Sequence, residues 1–103
     1  MSGASIELAT EVAEDLDRIL GHLIEHEARN VAARINSIID AIDVLAHNPL
    51  IGHPVTGGMR ELVIGHDAYG YIALYRYVPQ LELVLVLAVR GQREAGFSAS
   101  DPG

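Results

Sequence analysis

A run of seven consecutive apolar residues, Leu83–Val89, constrains this chain more than any other feature. The run is far too short for a membrane helix, which needs about 18 apolar residues, and we interpret it as a β-strand. A strand that is apolar on both faces needs cover on both sides. We therefore predict that the chain's own helices cover one face and that something else covers the other.

The residues before this run predict its partner strand. Two sets of side chains alternate over 69–78, as in a strand, and a short turn at 79–82 separates this segment from the apolar run. The alternation defines two faces but does not decide which one meets the helices. One face carries Tyr69, Tyr71, Ala73, Tyr75 and Tyr77, and the other carries Ile72, Leu74, Arg76 and Val78.

The rest of the chain predicts an α+β domain. A short edge strand at Ser5–Ala9 precedes an amphipathic helix that has Thr10 as its N-cap and ends near Glu25. A second helix follows over 28–45, then a loop over 48–58 and a strand over 59–65. The predicted architecture is a short N-terminal strand, an α-helical hairpin and a three-stranded antiparallel meander. We expect a single domain over 1–103, with a disordered tail at about 98–103.

The composition excludes several classes of function. The net charge is −7, every cation is arginine, and there is no cysteine. Disulfides and thiolate chemistry are therefore excluded, and excess negative charge disfavours nonspecific nucleic-acid binding by this chain alone. We see no signal peptide or membrane segment, so we expect a cytoplasmic protein that has no membrane contact.

The uncovered face of the predicted hairpin indicates an interaction surface, because monomers rarely expose so much contiguous apolar area. A symmetric homodimer through that face is one interpretation. Four arginines on or after the strands are expected to converge near one rim of the sheet, where they would bind phosphate or an acidic partner. These are Arg60, Arg76, Arg90 and Arg93, and solvated strand-edge side chains are the alternative reading.

The histidines give weaker signals. The segment 22–26 fits the inverted zinc-peptidase pattern H-x-x-E-H. It falls at a helix end, where a corner would misalign His22 and His26, so we interpret it as two solvated histidines and expect no metal and no cofactor. His53 and His66 lie in turns near the sheet and are candidates for proton transfer, but surface histidines are the favoured reading.

Several short motifs together resemble the RelE/ParE superfamily, the toxins of bacterial type II toxin–antitoxin systems. The similarity covers about Ile6 to Phe97, and only the joint pattern is specific. Its parts are Asn48-Pro49-x-x-Gly52-x-Pro54, Gly58-x-Arg60-Glu61-Leu62, Gly70-Tyr71 with Tyr75, the apolar strand that ends at Arg90, and Arg93-Glu94-Ala95-Gly96.

The resemblance implies a partner that would supply the missing cover. It implies a cognate antitoxin, of the ParD or RelB kind, whose C-terminal segment folds over the toxin and buries apolar side chains on it. Residues expected to bind the antitoxin or the target are Arg60, Ile72, Leu74, Arg76, Arg90, Arg93 and Phe97.

The resemblance also implies two possible targets. RelE-like members cleave mRNA on the ribosome, and ParE-like members inhibit DNA gyrase without a catalytic site of their own. Ile72 stands where many mRNA-cleaving members carry arginine, and Phe97 stands near their terminal tyrosine. Phenylalanine cannot transfer a proton. Gyrase inhibition is therefore favoured; the alternatives are an endoribonuclease that uses Arg60, His66 and Arg93, and a non-toxic remnant that only binds its antitoxin.

Overall fold

The computed structural model describes residues 3–26, 29–65 and 70–92 of the 103-residue chain. Two helices and five strands are present in these ranges, and single 3₁₀ turns occupy Thr56–Gly58 and Pro79–Leu81. The predicted α+β class and the predicted hairpin turn are confirmed. In chain order the elements are β1 (Ser5–Leu8), α1 (Thr10–Glu25), α2 (Val31–Val44), β2 (His53–Val55), β3 (Met59–Ile64), β4 (Tyr71–Val78) and β5 (Leu83–Gly91).

The five strands form one sheet in the order β1-β5-β4-β3-β2. Strands β3, β4 and β5 form the predicted antiparallel meander. Strand β1 lies parallel to β5, with Ser5 opposite Leu83 and Leu8 opposite Val86. The first described strand therefore occupies one edge of the sheet, beside the last described strand.

Strand β2 is a correction to the predicted loop over 48–58. Residues His53–Val55 pair antiparallel with Met59–Glu61 and form the second edge of the sheet. The strand has only three residues, and its middle residue is Pro54. Proline is tolerated at a sheet edge, where its missing N–H takes no ladder bond, but it argues against a strand when the sequence is read alone.

Both helices pack on the same face of the sheet and form the core with it. Tyr71, Ala73 and Tyr75 point toward the helices, which decides the question that the alternation of β4 left open; Tyr69 lies outside the described residues. The buried apolar residues are Val12, Ile19, Leu23, Ile38, Ile42, Leu45, Ile64, Tyr71, Ala73, Tyr75, Val84, Val86 and Val89.

A β-bulge in β5 changes which of its apolar side chains face the helices. Leu74 lies opposite Ala88 while Tyr75 lies opposite Val86, so Leu87 is an additional residue on β5. A bulge shifts the alternation of side chains by one position. Val86 and Val89 are therefore both buried on the helix side although they are three positions apart.

Helix α1 begins directly at the end of β1, and its predicted N-cap is wrong by one residue. The N-cap is Ala9, whose backbone N–H donates to the carbonyl of Val86 at 2.9 Å. Beyond Val86, β5 is no longer paired with β1, and a side chain of α1 bonds to its backbone instead. The Asp15 carboxylate accepts the Val89 N–H at 2.9 Å, and Arg18 donates to Asp15 at 2.8 Å. Side chains of a helix thus complete the hydrogen bonding of a sheet edge.

Candidate binding face

The side of the sheet opposite the helices forms a largely apolar surface, which we name the outer sheet face. In antiparallel pairs, residues opposite each other share a face, so the strand register assigns its members. None of its side chains belongs to the core cluster of the described residues. Its apolar members are Val63, Ile72, Leu74, Val78, Leu83, Leu85 and Ala88, and its charged members include Arg76 and Arg90 together with Glu61, opposite Leu74, and Glu7, opposite Leu85.

Exposure confirms that this face is open among the described residues. Val63 is 50% exposed, and Ile72, Leu74 and Leu85 are partly exposed. Both helices are engaged on the other side of the sheet, where their apolar residues form the core. The predicted apolar surface is therefore present, and it consists of the aliphatic set of β4 rather than the tyrosine set.

Two arginines lie on either side of the apolar centre of the outer sheet face. Arg76 lies opposite Leu85, and Arg90 lies opposite Ile72. Arg76 and Ile72 are four positions apart on β4, so the two arginine positions are separated by about 13 Å along the strand direction. Both arginines are exposed, and Arg76 donates to the carbonyl of Gly57 at 2.9 Å. The face therefore combines an aliphatic centre with an arginine toward each end, and Glu61 lies beside that centre, opposite Leu74.

Arg60 does not join these two arginines. It lies opposite Tyr75 and shares the helix side of the sheet. Its Nη1 donates to the carbonyls of Gly52 at 2.7 Å and Leu50 at 3.2 Å. The expected convergence of four arginines is therefore wrong for Arg60, whose guanidinium supports a loop. Arg93, the fourth arginine, lies outside the described residues.

Tyr75 holds the same loop from the core. Its buried hydroxyl donates to the carbonyl of Pro49 at 2.8 Å and accepts the N–H of Gly52 at 2.9 Å. A Cβ atom on Gly52 would lie 2.7 Å from the Glu61 carbonyl oxygen and 2.7 Å from Tyr75. We name residues 49–52, with these contacts, the clamped loop. The sequence analysis included Asn48-Pro49-x-x-Gly52 in the family pattern but did not predict that Tyr75 holds this loop through hydrogen bonds.

The clamped loop displays apolar side chains. Leu50 is 60% exposed and Ile51 is 56% exposed. At the nearby sheet edge, Nε2 of His53 lies 3.3 Å from Oε1 of Glu61. His53 is thus one half of an ion pair when it is protonated. His66 and Phe97, the other residues proposed for catalysis or binding, lie outside the described residues.

The two histidines of the H-x-x-E-H segment are close together. Helix α1 ends at Glu25, with His26 as its C-cap, yet the rings of His22 and His26 have centroids 4.2 Å apart. The expected misalignment of the pair is therefore wrong. Within residues 3–26, 29–65 and 70–92, no group of three or more His, Cys, Asp or Glu could hold a metal ion. No described helix is long and apolar enough to cross a membrane.

Known proteins share both the sequence pattern and the fold. A curated relative, "Toxin RelE3" of Caulobacter vibrioides, is 27% identical over 90 residues, which is 87% of this chain and 96% of the relative. The chromosomal ParDE toxin–antitoxin system of P. aeruginosa contains a chain with a TM-score of 0.71 and 20% identity, covering 85% of this chain and 95% of that one.

A second solved relative is the RelBE2 toxin–antitoxin complex of Mycobacterium tuberculosis. Its matching chain has a TM-score of 0.59 and 19% identity, and the match covers 86% of this chain and 98% of that one. At these identities the solved structures establish a shared fold. The family model described as ParE toxin of type II toxin–antitoxin system, parDE, matches residues 6–96. This chain therefore belongs to the ParE toxin family of type II toxin–antitoxin systems.

Proposed function

We propose that the outer sheet face of this toxin binds a cognate antitoxin, and that the free toxin arrests growth by inhibiting DNA gyrase. The P. aeruginosa and M. tuberculosis relatives are described as parts of a toxin–antitoxin system and a toxin–antitoxin complex, respectively. Both parts of the proposal concern binding, and neither requires a catalytic group.

The observation that carries the proposal is the composition of the outer sheet face. Its aliphatic side chains are left open by the described elements, while both helices are used on the other side. Burying such a surface contributes about 25 cal/mol for each Å² removed from water. A stable complex through this face is therefore driven by the hydrophobic effect.

The arginines define the chemistry of the partner. A segment that covers Leu74 and reaches both Arg76 and Arg90 needs apolar side chains in its centre and acidic side chains toward its ends. Acidic groups about 13 Å apart match about nine residues of a helix or about four residues of an extended strand. We therefore expect an amphipathic acidic segment that becomes ordered as it binds.

Gyrase inhibition is favoured over RNA cleavage by three features. Ile72 occupies the outer sheet face at the position where an arginine is expected in the mRNA-cleaving branch. The guanidinium of Arg60 is engaged with two loop carbonyls on the opposite side. The net charge of −7 opposes binding to a ribosomal RNA surface.

A ribosome-dependent endoribonuclease is the second candidate, because the curated relative carries the name of a RelE toxin. In that case Arg60, His66 and Arg93 are the proposed catalytic residues. Replacing each of them by alanine would then abolish growth arrest. A third candidate, a remnant that binds its antitoxin without toxicity, would cause no arrest at all.

Labelled thymidine and labelled methionine, supplied after the chain alone is induced in bacteria, distinguish these candidates. Gyrase inhibition predicts that DNA synthesis stops first, and the endoribonuclease predicts that protein synthesis stops first. Continued synthesis of both in the host used would favour the remnant. Co-expression with the antitoxin is the matched control, and it should restore both incorporation rates.

A further inference from the structure

The H-x-x-E-H segment at the end of α1 plays no part in the outer sheet face, and its two histidines form a pair of their own. Their imidazole centroids are 4.2 Å apart and their planes are inclined by 37°. Both residues are exposed. Residues four positions apart are neighbours on a helix surface. Two nitrogen-bearing rings are therefore presented side by side to solvent.

A hydrogen bond determines which nitrogen of His26 is available. Nδ1 of His26 lies 2.9 Å from the backbone carbonyl oxygen of His22. A carbonyl oxygen only accepts, so Nδ1 carries the proton, and in the neutral ring Nε2 keeps its lone pair. Donation of one ring N–H to a backbone carbonyl is the arrangement found in metal-ligating histidines. His26 thus has the tautomer of a ligand.

The electrostatic surroundings of the pair favour a cation. The pair lies in the last turn of α1 and at its C-cap. The C-terminal end of a helix carries partial negative charge. The chain as a whole has a net charge of −7, and Glu25 lies between the two histidines in sequence. A positive ion at this place would be stabilised by the helix and by the charge of the protein.

We propose that His22 and His26 together bind one divalent transition-metal ion per chain, and that copper(II) binds more tightly than nickel(II) or zinc(II). Imidazole nitrogen suits all three ions, and the order follows their general affinities for nitrogen ligands. The two rings supply two positions and water fills the others, since no third side-chain ligand lies nearby in the described residues. This site lies at the end of α1, outside the outer sheet face.

Titration calorimetry of the full chain with copper(II) tests the site. The wild type should bind one ion per chain. His22→Ala and His26→Ala should each weaken binding by about 100-fold or more, because one helix holds both ligands at high effective concentration. His47→Ala is the matched control: His47 is exposed and has no histidine four positions away. Its affinity for copper(II) should equal that of the wild type.

Thermal unfolding gives a second readout. An ion that binds only the folded chain should raise the wild-type unfolding temperature by roughly 10 °C at hundredfold saturation. The double variant H22A/H26A should unfold at the wild-type temperature without metal, because both side chains are exposed, and it should not respond to copper(II). Wild-type affinity in the double variant, or no binding by the wild type, would overturn the site.

Discussion

The hydroxyl of Tyr75 donates to the carbonyl of Pro49 at 2.8 Å, although 26 positions separate the two residues. Tyr75 is fully buried in the centre of the core, and Pro49 begins the clamped loop. One side chain therefore connects the interior of the sheet to a loop that displays Leu50 and Ile51 at the surface. The loop is held by side-chain hydrogen bonds rather than by sheet pairing of its own.

Replacing Tyr75 by phenylalanine should lower the free energy of unfolding by about 1–3 kcal/mol, since the Gly52 N–H and the Pro49 carbonyl lose their buried partner. Urea unfolding monitored by circular dichroism measures the change. Tyr77→Phe is the control, because no described residue bonds to the Tyr77 hydroxyl; its effect should stay within about 0.5 kcal/mol. Equal losses in the two variants would contradict the clamp.

Replacing either of two glycines by alanine should change the free energy of unfolding, with opposite signs at the two positions. Gly52→Ala places a Cβ atom 2.7 Å from backbone and from Tyr75, so overpacking should destabilise the protein by about 1–3 kcal/mol. Gly21→Ala lies within α1 with nothing within 4 Å of the new atom, and it should stabilise the helix by about 1 kcal/mol. Thermal unfolding of both variants decides the signs. Destabilisation by Gly21→Ala would contradict this account of α1.

Asp15→Ala should destabilise the protein by about 1–3 kcal/mol, because it leaves the buried N–H of Val89 without an acceptor. Asp15→Asn retains a carbonyl oxygen that can accept the same bond, so it should cost less. Glu14→Ala, on the exposed side of the same helix, is the control and should change the free energy of unfolding by less than about 0.5 kcal/mol. Denaturant unfolding ranks the three variants. A different order of destabilisation would show that the Asp15 carboxylate is not an important acceptor for the Val89 N–H.

Leu74→Asp should weaken antitoxin binding by about 2–4 kcal/mol, because it places a charge in the centre of the outer sheet face. That corresponds to a loss of roughly 30-fold to 1,000-fold in affinity. Ile39→Asp, at an exposed apolar position on α2, should leave the affinity unchanged. Surface plasmon resonance with the purified antitoxin compares the two, and circular dichroism verifies that both variants are folded. Equal affinities would show that the antitoxin binds elsewhere.

Arg90→Glu should slow association with the antitoxin by about tenfold at low salt, because attraction to the acidic segment becomes repulsion. The difference from the wild type should shrink as salt rises. Arg29→Glu removes an exposed arginine outside the sheet and should change the association rate much less. Stopped-flow measurements at several salt concentrations give the salt dependence of the association rate for each variant. An equal effect of the two reversals would indicate attraction by overall charge alone.

Local patterns were sufficient to predict most of the fold. The alternation in β4 and the apolar run in β5 gave the hairpin, and helical periodicity gave α1 and α2, because these signals lie within a single element. Strand β2 could not be predicted, since three residues around Pro54 carry no periodicity and the strand exists only through its pairing with β3.

The site was predictable only in part, because register determines which side chains meet. Arg60 and Arg76 are both arginines within predicted strands, and the sequence does not show which face of the sheet each one takes. Pairing with Tyr75 places Arg60 on the helix side. The bulge at Leu87 shifts the alternation of β5, which an unbroken apolar run cannot reveal. The hydrogen bond that the Val89 N–H donates to the Asp15 carboxylate joins residues 74 positions apart, and no local pattern encodes it.

The parallel pairing of β1 with β5 also determines when the sheet can form during synthesis of the chain. A chain that leaves the ribosome from its N-terminus presents β1 long before its neighbour has been made. The sheet closes only after β5 has emerged, so folding depends on contacts between residues far apart in sequence, such as Ser5 and Leu83, which form slowly. Strands β4 and β5 also build the outer sheet face, so a nascent chain has no such surface. A partner specific for that face therefore finds its binding surface only after β4 and β5 have both been made and have paired.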